Sequence, residues 1–418
     1  LLLWWAIEAK AGDENRDLIL DIVLNDSVVW QRPLAKDHLI GRLMRRYALA
    51  GSREELLAAS RLLKASPDAA SNALLLTGFE EAYKGRSLAG IPQELVDAIA
   101  ATGGGSTALR LRQGDANAVA EAVKAVSDPK SKKEDRLQFV EIFGEVRRSE
   151  FIPALLQVVA TEKNADLASA ALTALQSFDD LRVGQQVVKS CASVPADAKL
   201  AAETLLASRK VWAAELLAAV DAGALKPEDV SETALRKILL HDDDEIRDLV
   251  ARHWGSIAGA STEQMREEIA RLTALLDAGS GNPKKGKLVY MENCGKCHVL
   301  HGEGGKIGPD LTSFKRDNQE RILQNVINPS LEIREGFENF VVTTFDGRTV
   351  NGFLADQDNQ VVVLRGVDGQ NLIIRRDEID EMAAIKRSVM PEGTLGKLTP
   401  QQIRDLFAYL RASQPVNY

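Results

Sequence analysis

Apolar and polar positions along the chain change their period twice. From residue 1 to about 278, apolar residues recur at three- and four-residue spacing. The connecting segments there are short and rich in Asp, Gly, Ser and Pro, which predicts amphipathic helices joined by tight turns. Over 338–380, "ENFVVTTFDGRTVNGFLADQDNQVVVLRGVDGQNLIIRRDEID", the period falls to two. That alternation, with Asp346-Gly347 and Asp368-Gly369 as hairpin turns, predicts a small antiparallel β-insert. After Thr399 and Pro400 the helical period returns, with Thr399 as cap and Pro400 in the first turn.

The helical part is also self-similar. Segments 136–160, 168–192 and 200–222 each read as helix, turn, helix, and 232–257 suggests a further copy. Aligning Phe143, Leu175 and Leu206 gives steps of 32 (175 − 143) and 31 (206 − 175) residues. Neither helix of such a pair buries its apolar face alone, so the pairs are expected to stack into an α-solenoid, with a character close to HEAT repeats. A spacer and docking frame is the expected role of this array, because no charge cluster marks a groove. Near "DAGSGNPKKGK" the composition turns to Gly, Ser, Asn, Pro and Lys, the mark of a domain boundary. The predicted organisation is a repeat domain over 1–278, a linker over 279–285 and a second domain over 286–418.

Composition narrows the class. The 418 residues are 45% hydrophobic, 27% charged and 5% aromatic, with a net charge of −8. Such a chain is globular and mainly helical, and it lacks the basic stripe of a general nucleic-acid binder. The apolar run Leu1–Ile7 is too short to span a bilayer and has no signal-peptide flanks. It reads as the start of a fragment or processed product, with no transmembrane segment.

Three cysteines make no disulfide framework. Cys191 falls in a helical pattern and reads as a small buried hydrophobe. His241 and His253 flank an acidic "DDDE" whose residues suit a helix N-terminus better than a metal site. Cys294 and Cys297, by contrast, form "CGKCH" with His298, the C-x-x-C-H pattern of c-type haem attachment. Two thiols at this spacing reach the two vinyl groups of one porphyrin, and the next histidine supplies the proximal nitrogen. A thioredoxin-like site would need a βαβ setting that is absent. A zinc site built from Cys294, Cys297, His298 and His301, which the spacing places on one short helical turn, would crowd four ligands together.

A distal thioether is the common partner for electron transfer. Of the five methionines, Met44 and Met265 lie in the helical repeats and Met291 is too near the motif. Met382 reads as an apolar side chain of the β-insert. Met390 precedes a Pro- and Gly-containing loop and a terminal helix, a better setting for a ligand.

The pieces "GKLVYMENCGKCH", "IGPDLT" and "SVMPEGTLGKLTPQQIRDLFAYL" together resemble a class I c-type cytochrome, in that family's order. More narrowly, the chain resembles the haem-binding proteins described for planctomycetes and verrucomicrobia, with HEAT-like repeats in front. The resemblance implies a mainly α fold, a HEAT-like α-solenoid followed by an α-helical cytochrome c domain with a small antiparallel β-insert. It implies Cys294 and Cys297 as thioether positions and His298 and Met390 as iron ligands of one haem c. Pro309 would accept from the other nitrogen of His298, and Leu311 would pack on the haem. Tyr290, Phe407 and Leu410 are candidates for the contact between first and last helices. Arg365, Arg375 and Arg376 are candidate propionate partners, with solvated strand charges as the plainer reading. Lys296 and Lys306 near the motif are candidates for guiding an acidic partner.

The function expected is one-electron transfer in the periplasm or an equivalent compartment. The partner would be a redox protein or an upstream dehydrogenase domain. No catalytic base or nucleophile is visible, so the chain reads as an electron-transfer module more than an enzyme. The alternatives are a haem sensor or peroxidase with an open distal position, and a repeat scaffold for protein interaction.

Overall fold

A computed structural model describes residues 2–12, 15–84, 88, 91–103, 105–255 and 262–416. Leu1, Ser256 and Ile257 at the end of the fourth repeat copy, and Asn417 and Tyr418, lie outside the described residues. The chain forms two compact units, Leu1–Val158 and Val159–Tyr418. Both are rich in helix, and the strands described lie in the second.

The described residues of the first unit form helices and their connecting turns. Its core gathers buried side chains such as Trp30, Met44, Tyr47, Leu62 and Phe79. Helix starts there follow local chemistry. The Ser52 and Asp68 side chains accept the amides of Glu55 and Ser71, satisfying N–H groups that have no partner inside the helix.

In the second unit the helices of residues 165–254 fall into two layers. Ala165–Leu175 packs on Lys199–Leu206, which packs on Glu232–Ile238; Leu181–Ser190 packs on Lys210–Asp221, which packs on Asp244–Trp254. Each element therefore touches the one two places along, the contact a helix pair makes when its apolar faces need neighbouring pairs to cover them. Asn164, Asp180, Ser231 and Asp243 cap four of these helices through their side chains. The acids of "DDDE" belong to that start: Asp243 is the cap, and Asp244 and Glu245 stand in the first turn. His241 and His253 are engaged elsewhere, with Nε2 2.9 Å from the Ala207 carbonyl and 2.8 Å from Asp221.

A two-stranded ribbon follows the cysteine motif, β1 (Val299–Leu300) with β2 (Glu303–Gly304). The larger sheet has five antiparallel strands: β3 (Asn339–Thr344), β4 (Thr349–Gln357), β5 (Val361–Arg365), β6 (Asn371–Arg375) and β7 (Ile379–Ile385). Their order is β6-β5-β4-β3-β7, a meander whose last strand returns to the open edge of β3. Gly347 and Gly369 take φ of 79° and 77° in the two hairpin turns, which a side chain would resist. Met382 sits on β7 opposite Val342 and packs on the sheet's apolar core.

The β3–β4 hairpin is seated on the helices. The Thr349 amide donates to the Ser208 carbonyl at 2.7 Å. The Arg209 guanidinium, buried, donates to the Asp346 carbonyl at 2.8 Å and to its carboxylate at 2.7 Å. Burial pushes the Asp346 pKa upward, but bonds from Arg209 and Thr344 outweigh it and hold the carboxyl at about 2.

Candidate functional site

The site grows from the crossing of two helices. The motif helix, Pro283–Asn293, begins where Asn282 accepts the amides of Lys284 and Lys285, with Pro283 in the first turn. The terminal helix, Pro400–Leu410, starts on a capping box between Thr399 and Gln402. The two pack on each other. A Cβ on Gly286 would lie 1.8 Å from the Asp405 carbonyl oxygen, so only glycine lets the helices approach this closely. Asp405 also accepts the Asn282 amide at 2.7 Å. Tyr290, Phe407 and Leu410 are all buried in the cluster around this crossing. Gly281 meets the terminal helix as well: its Cβ would strike the Arg404 carbonyl oxygen. The glycines of "AGSGNPKKGK" therefore serve close packing as much as chain turning.

Cys294 caps the motif helix, its amide reaching the Tyr290 carbonyl at 2.7 Å. Cys297 and His298 follow in a turn, with both amides donating to the Cys294 carbonyl. Both thiols are free and partly buried. Cys294 packs with Met291 and Leu311 against the core of the helix crossing. Burial pushes the Cys294 thiol up to about 12, with Cys297 adding to the shift, and burial raises Cys297 too. These are protonated thiols in an apolar setting rather than metal-ready thiolates.

His298 is held on three sides. Its Nδ1 lies 2.9 Å from the Pro309 carbonyl oxygen, which can only accept, so Nδ1 carries the hydrogen. Burial lowers the His298 pKa, and the Pro309 bond opposes that shift without cancelling it. The ring is therefore neutral, and Nε2 presents a lone pair. A Cβ on Gly308 would stand 2.7 Å from His298 Cε1, so the loop lies flat against the imidazole only because residue 308 has no side chain. Tyr290 donates its hydroxyl to the His298 carbonyl at 2.7 Å.

Backbone bonds hold the loop over the motif. Gly305 donates to Gly295 (2.8 Å), Ile307 and Gly308 to Cys297 (3.1 and 2.8 Å), and Leu311 to Val299 (2.8 Å). His301 does not share a helical turn with His298, contrary to the sequence expectation. With Gly302 it forms the two-residue β1–β2 turn, at φ of 55° and 82°, and its Nε2 lies 3.2 Å from the Ala412 carbonyl oxygen.

Met390 lies partly buried in the loop that links β7 to the terminal helix. Its amide donates to Ser388 Oγ, and the Ser388 amide donates to Ser330 Oγ, each at 3.1 Å. Of the arginines considered for propionates, Arg375 pairs with Asp377 and Glu378. Arg376 donates to the Asp358 carbonyl and the Gln357 side chain, and Arg365 reaches Asn371 at 3.5 Å. Their partners are strand and turn groups of the sheet itself. Lys296 and Lys306 are exposed beside the motif. Cys191, far from this site in sequence, bonds the Val187 carbonyl and is pushed up to about 11, chiefly by burial.

Two roles were not read from the sequence. The Tyr290 hydroxyl contact and the Gly308 approach to the ring are both set by tertiary packing. The expected contact of Pro309 with His298 is present, but it carried no sign that Gly308 would lie against the ring.

The residues fit a c-type haem on their chemistry: two free thiols at the motif spacing, an imidazole with one nitrogen fixed and the other open, and an apolar surround. No described helix is long and apolar enough to cross a membrane. Among curated proteins, none matches the chain. A family model for cytochrome c matches residues 283–363, from the start of the motif helix into β5. The chain thus carries a c-type cytochrome domain, whose expected group is covalent haem c and whose chemistry is haem-based electron transfer.

Proposed function

We propose that this chain transfers single electrons through one haem c joined to Cys294 and Cys297, with His298 and Met390 as the axial ligands. The observation that carries the reading is His298: its Nδ1–H is committed to Pro309 while Nε2 stays unprotonated. When bound, the haem supplies an iron that takes up and releases one electron. The protein's part is to hold the imidazole in one tautomer and one orientation. Pro309 fixes the proton, Gly308 admits the loop against the ring, and Tyr290 anchors the backbone carbonyl of the same residue. Leu311 and Met291 keep the surround apolar, which disfavours the more highly charged iron state and raises the potential. Met390 is favoured over Met382 because Met382 is spent in the sheet core.

Several wider readings belong to the same proposal. The two-layer packing of residues 165–254 supports a HEAT-like solenoid as the support for the cytochrome part, and the composition change at 279–285 supports a linker there, although the helix before it, Thr262–Asp277, packs on the terminal helix. Covalent haem maturation supports a periplasmic or otherwise extracytoplasmic location. A redox protein, or a dehydrogenase domain as in the proteins this sequence resembles, would deliver the electrons. In that arrangement the chain accepts electrons and does not itself carry out the oxidation.

The test compares optical spectra of the holoprotein and of Met390→Ala, reduced and exposed to carbon monoxide. The native protein is expected to be low-spin and unaffected by carbon monoxide, and the variant to bind it. Ready binding by the native protein would overturn Met390 and favour a sensor or peroxidase.

A further inference from the structure

One short helix of the repeat layers, Glu232–Ile238, meets the loop that carries Met390. Arg236 points its guanidinium at Glu392, with Nη1 3.6 Å from Oε1, and Arg387 approaches the same oxygen at 3.9 Å. The Arg236 and Glu392 side chains are only 15% and 11% exposed, so this pair is shielded far better than an ordinary surface ion pair. Glu392 stands two residues after Met390. Glu232, one turn earlier on the same helix, accepts from Arg236 Nε at 2.9 Å and so keeps the guanidinium aimed.

The next residue, Lys237, leaves the helix about 100° further round and goes the other way. It is buried and donates to the Thr204 carbonyl at 3.1 Å. Its charge is felt by Asp368 in the β5–β6 turn. Gly369 in that turn faces the Ile307 side chain, 3.7 Å from where its Cβ would stand, and Ile307 precedes Gly308 against the His298 ring. Neighbouring residues of one helix thus meet the Met390 loop and face the β5–β6 turn, and that turn lies beside Ile307.

We infer that Arg236 is a positioning residue for the distal ligand: through Glu392 it holds the Met390 loop closed on the iron, which makes the repeat layers a brace for the redox centre. This rests on the His298–Met390 reading. The Ser388 amide ties the start of the loop to Ser330 Oγ, and a brace beyond Met390 matters because the bonds that shape that part are short-range. Met390 is held by Ser388, Thr394 by the Pro391 carbonyl and Gly396 by the Gly393 carbonyl, all within a few residues. Local bonds of that kind shape a loop without fixing where the whole loop sits. A partly buried ion pair to a separate helix does fix it.

The experiment measures the rate at which imidazole displaces the methionine from ferric holoprotein, in the full chain, alongside the near-infrared methionine-to-iron band. Arg236→Gln and Glu392→Gln should each speed displacement roughly tenfold, as loss of a shielded charged contact would. The double variant should be no faster than either single one, and Arg236→Lys should fall close to the native rate. Glu392→Gln, nearly isosteric, reads the same pair should Arg236→Gln fold poorly. A purely structural role would lower the melting temperature and leave displacement unchanged, and that result overturns the brace alone. A native protein without the methionine band, matching Met390→Ala, overturns the ligand assignment and the brace with it.

Discussion

The loop that serves His298 and the loop that carries Met390 are held in different ways. The first is closed by bonds to its own neighbourhood: Gly305 to Gly295, Ile307 and Gly308 to Cys297, Leu311 to Val299, and Pro309 to the imidazole itself. The second is fastened to distant parts of the chain, through Ser388 to Ser330 and through Glu392 to Arg236. The proximal side is therefore a local motif that folds as one piece with the cysteines. The distal side depends on the sheet and the repeat helices being in place. On the proposed His298–Met390 ligation, that difference predicts a fixed histidine and a more displaceable thioether.

The largest effect should come from the motif. Replacing both Cys294 and Cys297 with Ala is expected to abolish covalent haem, read as loss of haem staining on a denaturing gel. Conversion at Cys297 alone should leave a single, weaker attachment.

Next is Gly308→Val. The added side chain would meet the imidazole, whose Cε1 lies 2.7 Å from even the first added carbon. Overpacking of this kind typically costs about 1–3 kcal/mol, and here it should also turn the ring away from Pro309. Thermal unfolding and the midpoint potential should both fall. A matched change in the Met390 loop, Gly393→Ala, meets nothing within 4 Å and should cost only the strain of its φ of 71°. Equal losses for the two variants would erase the contrast between the loops.

A smaller effect should follow Arg209→Ala at the seat of the β3–β4 hairpin. The arginine is buried while the Asp346 side chain is 41% exposed, so the loss is set at about 1–3 kcal/mol rather than the full cost of breaking a buried pair. Because Asp346 is held at about 2 in the folded protein, its contribution is present at neutral pH and fades as the solution is acidified toward that value. Denaturant unfolding of native and variant protein between pH 6 and about pH 2 should show their difference shrink.

The sequence made the helices, the hairpin turns and the haem motif legible, because each is written in local terms. C-G-K-C-H needs only five residues, and Asp346-Gly347 and Asp368-Gly369 need only two each. Pro309 was also reachable, since a carbonyl without a competing amide is a property of one residue. What escaped was set by distant partners. His301 looked helical by spacing, but Gly302 beside it takes a positive φ and makes a tight turn. The glycines at 281 and 286 read as flexible boundary residues and are contact residues, because the terminal helix that presses on them lies more than a hundred positions away. Arg236 and Glu392 carried no signal at all, being single charges separated by the whole β-insert.

The last effect shows only at alkaline pH. Burial lowers Lys237 to about 8 from an ordinary 10.5, so the folded protein binds fewer protons than the unfolded chain between those values. Stability should therefore rise with pH across 8 to 10.5, relative to Lys237→Met, in which the rise should vanish. Parallel curves for the two proteins would show that Lys237 is not buried as a neutral amine.

The most direct test of the account is a spectroelectrochemical titration of the native holoprotein. A single reversible one-electron wave, with low-spin spectra in both oxidation states, is the predicted result. A wave accompanied by conversion to high-spin iron on reduction, or by uptake of carbon monoxide without mutation, would contradict His298–Met390 electron transfer.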